Sequence, residues 1–349
     1  MTGSLGILYV GPLNAGSTCL QRCVALAELG HRVTRVDQLP GDHARRQRAL
    51  AWRVRRRLLG DRDDSGLNAR LLAHPASPAP DVVWVDKGLT VEPGTLRTLR
   101  GRWPQTCFVN YSGDDMFNPH NQTAAWRGCL PLYDLFATTK SFNMPELRAA
   151  GAHDVLFVDM AYSPAIHRPH AVTPELRERF GGDVGFVGWP EGARERSMRH
   201  LARHGVSVRV WGPWPRWKAA PNLRIEGGPL WDEDYARALS AFRINLGFLR
   251  RVNRDLQTTR SIEIPACGGF LLAERTAEHQ RLFREDVEAV FFSDDRELLE
   301  KCRHYLAHED ERARIAEAGF RRCVESAYSY EARLSFILQH ALGRRAAAA

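Results

Sequence analysis

Short apolar runs alternate with longer amphipathic stretches along this chain, and the alternation begins twice. Leu5 to Val10 predicts a strand, Gly11 to Thr18 a turn, and Cys19 to Leu29 a helix closed by Gly30. His31 to Val36, Asp81 to Val85, Thr106 to Tyr111, Leu135 to Thr138 and Val155 to Val158 predict further strands, with a helix from Pro145 to Ala150. Tyr162 to Pro174 holds three prolines and two histidines and reads as a linker. The rhythm then resumes. Strands are expected at Val184–Val187, Val206–Trp211, Leu223–Ile225, Ile244–Phe248, Phe270–Ala273 and Ala289–Phe292. Helices are expected at Ala193–His204, Asp232–Ala241, Ser261–Ala266, Arg296–His308, Glu309–Ser326 and Tyr330–Leu342.

Strands spaced by helices imply α/β folding with parallel, doubly wound sheets. The chain divides into Rossmann-like halves at 1–165 and 166–328, with a last helix at 329–349 that returns toward the first half. Doubly wound sheets bind ligands beyond the carboxyl ends of their strands, so the crevice between the halves is the expected site.

Composition narrows the picture. The 349 residues are 44% hydrophobic and 26% charged, which excludes a disordered or fibrous chain. The net charge is +8, and only four of the 49 basic residues are lysines. Arginine suits bidentate phosphate binding, although a genomic bias explains the excess equally well. Seven cysteines without a CxxC pair suggest a reduced, cytoplasmic protein with no zinc site. The N-terminus lacks the basic segment of a signal peptide, and the run from Ile262 to Ala273 is too short to span a bilayer.

In the first half, Gly11-x-x-x-x-Gly16-Ser17-Thr18 has the glycine spacing of a phosphate loop, but serine stands where lysine is required. Asn14, Gly16 and Ser17 are therefore candidates for acceptor binding, with a plain tight turn as the alternative. The segment Asn110-Tyr-Ser-Gly-Asp-Asp115 follows a strand directly. Asp114 and Asp115 are candidate general bases, and His120 is a weaker one; an Asx turn is the competing explanation. Tyr111 and Lys140, also at strand ends, are candidate acceptor contacts.

The richest stretch runs from Asn253 to Glu274, NRDLQTTRSIEIPACGGFLLAE. It resembles the C-terminal domain signature of GT-B glycosyltransferases, with a pattern similar to the glycosyl transferase family 1 domains of CgeB-like spore-maturation proteins. Two acidic residues separated by seven positions mark the wider family, and Asp255 and Glu263 have that separation. The resemblance covers about residues 180–340. It implies that Glu263 binds the donor ribose and that Asp255 contacts the donor sugar in catalysis. It also implies that Gly188, Gly212, Gly268 and Gly269 belong to the donor-binding site, with Gly268 letting helix and strand approach closely. Arg250, Arg251, Arg254 and Arg260, with Arg194 and Arg196 after Gly188, are the guanidinium groups available to a leaving diphosphate. A helix N-terminus would assist them, so no metal is expected. Trp211, Trp214, Trp217 and Tyr235 are possible base-stacking partners or core residues.

The reading is a glycosyltransferase using a nucleotide-diphosphate sugar, with UDP favoured and GDP or dTDP as alternatives. It needs no cofactor. The acceptor is a glycan, lipid, protein or natural product. If the enzyme inverts, Asp114 or Asp115 is the base; the acidic pair leans toward retention. Residues 45–62, with eight arginines, form a basic, partly amphipathic stretch that suggests peripheral contact with an anionic membrane face rather than nucleic acid. The alternatives are a GT-B nucleotide-sugar epimerase, a non-catalytic scaffold, or an anionic-surface binder.

Overall fold

The computed structural model describes residues 3–41, 49, 52, 54, 55 and 62–348. Its contacts divide the chain into two compact units, Met1–Asp159 with Tyr330–Ala349, and Met160–Ser329.

The first unit is built on a six-stranded sheet of β1 (Gly6–Gly11), β2 (Arg32–Asp37), β3 (Val82–Asp86), β4 (Cys107–Ser112), β5 (Leu135–Thr138) and β6 (Val155–Phe157), in the order β2-β1-β3-β4-β5-β6. Every pairing is parallel. All residues of β3 and β4 are buried, as expected of strands covered on both faces. The described helices of this unit are α1 (Thr18–Glu28), α2 (Leu67–Leu72), α3 (Pro93–Arg102), α4 (Ala124–Cys129), α5 (Asn143–Ala149) and a last helix at Tyr330–Ala348. The last helix lies on α1, and its His340 Nε2 meets Asp154 Oδ2 at 2.8 Å.

The second unit repeats the plan with β7 (Gly182–Val187), β8 (Val208–Trp211), β9 (Leu223–Ile225), β10 (Phe242–Gly247), β11 (Leu271–Glu274) and β12 (Val290–Phe292). Their order is β12-β11-β10-β7-β8-β9, again with parallel pairings throughout. The described helices here are α6 (Pro174–Phe180), α7 (Gly192–Arg203), α8 (Asp232–Ala241), α9 (Thr259–Ala266), α10 (Ala277–Leu282), α11 (Asp295–Ala307) and α12 (Glu309–Glu325); the last helix is α13. Separate apolar clusters cover the sheet, one including Val184, Ile244 and Leu272, the other Ile262, Leu271 and Phe291. The order of strands reverses between β1 and β3 in one sheet and between β7 and β10 in the other. Loops diverge at such switch points and leave a crevice.

One local expectation is corrected. The stretch Tyr162–Pro174 is not a free linker: Tyr162, Ser163 and His167 are buried within the second unit, and Pro174 opens α6 with Thr173 as its cap. The basic stretch 45–62 lies mostly outside the described residues. Of its members, Trp52 donates to Asp64 at 3.2 Å, and Arg55 pairs with the same carboxylate. No described helix is long and apolar enough to cross a membrane.

Candidate functional site

In the second unit, the loops after β7 and β10 enclose a groove of about 690 Å³ at the switch point, lined by Trp189 to Ala193 and Arg250 to Val252. Glu191 ties the two walls. Its oxygens accept from Arg250 Nε and from the Arg251 backbone N–H, both at 3.2 Å. Glu274, at the end of β11, holds the same loop by accepting from Leu249 N at 2.9 Å and from Arg251 Nη2 at 2.6 Å.

Beside this groove lie two neighbouring cations, Arg194 buried and Arg260 partly buried. Arg194, on the first turn of α7, is 1% exposed. It donates to the carbonyls of Leu249 and Trp189 at 3.2 and 2.9 Å. Its Nη2 has no hydrogen-bond partner and lies 4.0 Å from Glu191. Arg260, on the first turn of α9, passes Gly188, and its Nε is likewise buried without a partner. Burial, with Arg260 nearby, holds the Arg194 guanidinium down to about 10, opposed by Glu191. Cations so enclosed suit an anion.

The other expected donor residues distribute unevenly. Gly188 donates its N–H to Trp211 O at 3.0 Å, and its own carbonyl accepts from Trp214 Nε1 at 2.7 Å. Gly212, at φ +138°, packs so closely that an added Cβ would stand 2.1 Å from Gly188 O. Asp255 is 8% exposed and closes the loop, accepting from Asn253 Nδ2 at 2.7 Å and Arg250 N at 3.3 Å. Arg254 is exposed on a left-handed turn at φ +46°.

Arg196, Gly268 and Gly269 are not among the residues that line the groove. Arg196 is exposed on α7, two positions and about 200° round the helix from the inward face that Arg194 occupies. Gly268 and Gly269 lie at the far end of α9 from Thr258. Gly268, at φ +70°, stops the helix, while Gly269 is the close approach, 2.8 Å from Asn245 Nδ2 and Leu239 O for an added Cβ. A helix of eight residues spans about 12 Å, which separates both from the N-terminus of α9.

Glu263 is 4% exposed on α9. Its Oε2 accepts from the Tyr235 hydroxyl at 2.7 Å, and Oε1 stands 3.7 Å from His167 Nε2. Helix α9 begins at a capping box formed by Thr258 and Ser261. Ser261 donates onward to His279 Nε2 at 2.6 Å, and His279 Nδ1 donates to Glu274 O at 2.6 Å. A carbonyl only accepts, so Nδ1 carries a hydrogen, and burial keeps the ring neutral, which leaves Nε2 as the acceptor for Ser261.

In the first unit the candidates gather at the carboxyl edge of the sheet. Asp114 accepts from Lys87 Nζ at 2.7 Å, and the same ammonium donates to Asn121 at 2.8 Å. Lys87 holds a left-handed backbone at φ +62° and was not singled out from the sequence. Asp115 is 1% exposed and accepts from Asn143 Nδ2 and Phe117 N, both at 3.0 Å, so it braces the loop rather than facing an acceptor. Tyr111 is buried between Trp84 and Arg22, and burial pushes its hydroxyl up to about 12. Lys140 is 1% exposed. Ser17 is the N-cap of α1, accepting from Leu20 N at 3.1 Å and donating to Pro12 O at 2.9 Å. Its hydroxyl is thus committed to the turn. Asn14 is exposed, and Gly16 takes φ +74°. His120 belongs to an Asn118-capped 3₁₀ turn. Among the described residues, no group of three or more His, Cys, Asp or Glu converges to hold a metal.

Residues 193–339 match a family described as glycosyl transferase-like. No curated protein matches the chain in sequence. Three solved structures share the fold. Anabaena Alr3699/HepE in complex with UDP and glucose is 11% identical, covering 96% of this chain and 99% of that one at a TM-score of 0.66. A glycosyltransferase from Rickettsia africae is 12% identical, covering 97% of each chain at 0.66. Sucrose-phosphate synthase from Thermosynechococcus elongatus is 12% identical, covering 99% and 96% at 0.64. The two parallel sheets are those of the GT-B glycosyltransferase fold, and the matched segment 193–339 carries a glycosyl transferase-like domain.

Proposed function

We propose that the protein is a glycosyltransferase that takes a nucleotide-diphosphate sugar on its second unit and transfers the sugar to an acceptor served by its first. The observation that carries this reading is the pair of incompletely partnered guanidinium groups beside the switch-point groove, Arg194 with a buried free Nη2 and the partly buried Arg260 with an enclosed free Nε. A diphosphate supplies the charge they lack. The N-termini of α7 and α9 add positive ends to the same site. As the glycosidic bond breaks, negative charge grows on the diphosphate, and fixed cations stabilise that charge more than they stabilise the bound donor. This arrangement performs the neutralisation without calling on a metal.

Glu263 takes the ribose hydroxyls, and Asp255 orders the loop that meets the donor sugar. UDP is the first nucleotide to test, because the Anabaena neighbour is found with UDP and glucose. On the acceptor side, Asp114 is the base if the reaction inverts, with Lys87 holding it in place. If it retains, the departing phosphate assists the acceptor hydroxyl. The acceptor is a glycan, lipid, protein or natural product, and residues 45–62 are the proposed contact with an anionic membrane face at the cytoplasmic side.

A thermal-shift panel of UDP-, GDP-, dTDP- and ADP-sugars tests the donor assignment. One class should stabilise the wild type, and Glu263→Ala should abolish the response. Silence across the panel, or an equal response from the variant, defeats the reading. The anomeric configuration of the product then decides between retention and inversion.

A further inference from the structure

Glu263 is an expensive residue to keep where it is. A buried carboxylate forfeits its hydration and needs donors to replace it. The described residues bring two groups to its oxygens, from chain segments 28 and 96 positions away. Tyr235, on the first turn of α8, donates its hydroxyl to Oε2 at 2.7 Å. His167 comes from the segment that opens the second unit. Its Nδ1 accepts the Ser163 N–H at 3.0 Å, so the ring hydrogen sits on Nε2, 3.7 Å from Oε1. The imidazole stands edge-on to the Tyr235 ring, with centroids 5.8 Å apart at 83°. Burial holds His167 below its ordinary range against the opposing pull of Glu263 and Asp232, which keeps the ring neutral. Burial and the adjacent Glu263 likewise raise the Tyr235 hydroxyl well above its ordinary value, so it remains a donor.

An ionised carboxylate offers about four lone-pair sites, and one hydroxyl fills one of them. A carboxylate fastened at one oxygen and faced at the other is held in plane, with acceptor capacity left for a ligand. We propose that Tyr235 and His167 are positioning residues that aim Glu263 at the vicinal ribose hydroxyls of the donor, with Tyr235 carrying most of the effect. This inference rests on the donor reading above.

Recognition of a diol has a readout that simple structural support does not. Titration calorimetry should compare UDP with 2′,3′-dideoxy-UDP on the full chain, or GDP with its dideoxy form if the wild type prefers guanine. The wild type should favour the diol nucleotide at least ten-fold. Tyr235→Phe should lose most of that preference while binding the dideoxy nucleotide as the wild type does. His167→Gln should lose several-fold, and Glu263→Gln should lose all of it. Equal weakening of both nucleotides by Tyr235→Phe and His167→Gln, or no change in either, overturns the inference. Loss of preference in Glu263→Gln alone leaves the donor reading standing and removes only the positioning roles. A wild type that binds no nucleotide removes both.

Discussion

Arg194 and Arg260 hold their guanidinium groups over the same phenyl ring, 5.5 and 5.6 Å from the centre of Phe186. The ring offers each cation a negative face, worth roughly 0.5–2 kcal/mol, which partly offsets their mutual repulsion. Neither residue is thereby neutralised.

Arg194→Gln should therefore weaken UDP binding about 10- to 100-fold, the range for losing a hydrogen bond to a charged group. Uridine, which lacks phosphates, should bind both proteins equally. Calorimetry on the two ligands checks this; parallel losses on both would mean that Arg194 only supports the loops.

Gly212→Ala should destabilise the second unit by about 2 kcal/mol or more, because the backbone is in the left-handed half of φ space and the new methyl meets Gly188 O. Gly192→Ala is the contrast. Its Cβ would find nothing closer than Arg196 Nη1 at 3.6 Å, so the change should lie within about 0.5 kcal/mol of wild type. Urea midpoints at matched slope distinguish the two; equal midpoints would contradict the close approach.

Burial depresses the His279 imidazole to about 4. Between that value and the ordinary 6.5, an unfolded chain binds a proton that the folded chain refuses. Stability should then fall as pH drops from 6.5 toward 4, by about 2–3 kcal/mol from this residue. Chemical denaturation in pH steps should show the slope, and His279→Gln should flatten it while lowering stability at pH 7. An unchanged slope in the variant would assign it to other groups.

Glu297 moves the other way. Hydrogen bonds from Arg275 hold its carboxyl down to about 2, against desolvation. A depressed carboxyl adds stability above its unfolded value and loses it as pH falls toward the folded one. Glu297→Gln should cost about 1 kcal/mol at pH 7, allowing for partial solvent screening, and the cost should shrink below pH 4.5. A cost independent of pH would mean that packing, not charge, is lost.

Much of the fold was legible because parallel strands buried on both faces write unbroken apolar runs. Val82 to Val85 and Leu135 to Thr138 could be read directly. The helix Pro93–Arg102 was not, because it buries only Thr95, Leu96 and Leu99 and offers a weak period. In the candidate site, the spacing of Asp255 and Glu263 drew attention to the loop and helix that follow β10. Orientation around a helix was the harder quantity: Arg194 and Arg196 are two positions apart, and nothing local said that the first turns inward. Tyr235 was visible only as a possible stacking ring, because its hydroxyl finds Glu263 through tertiary structure. Glycine spacing did not show that Ser17 caps its own helix or that Gly268 ends α9.

The bridge between Tyr162 and Ser329 sets the points where the chain enters and leaves the second unit side by side. That unit is therefore a single uninterrupted insert, while the first unit is assembled from segments on either side of it. During synthesis, α1 is made long before α13, so the face of α1 that α13 covers stays open until residues 330–348 have emerged. The later-born unit is complete while its elder is still unfinished, so a premature stop after Ser329 would release a finished second unit tethered to an unsealed first one.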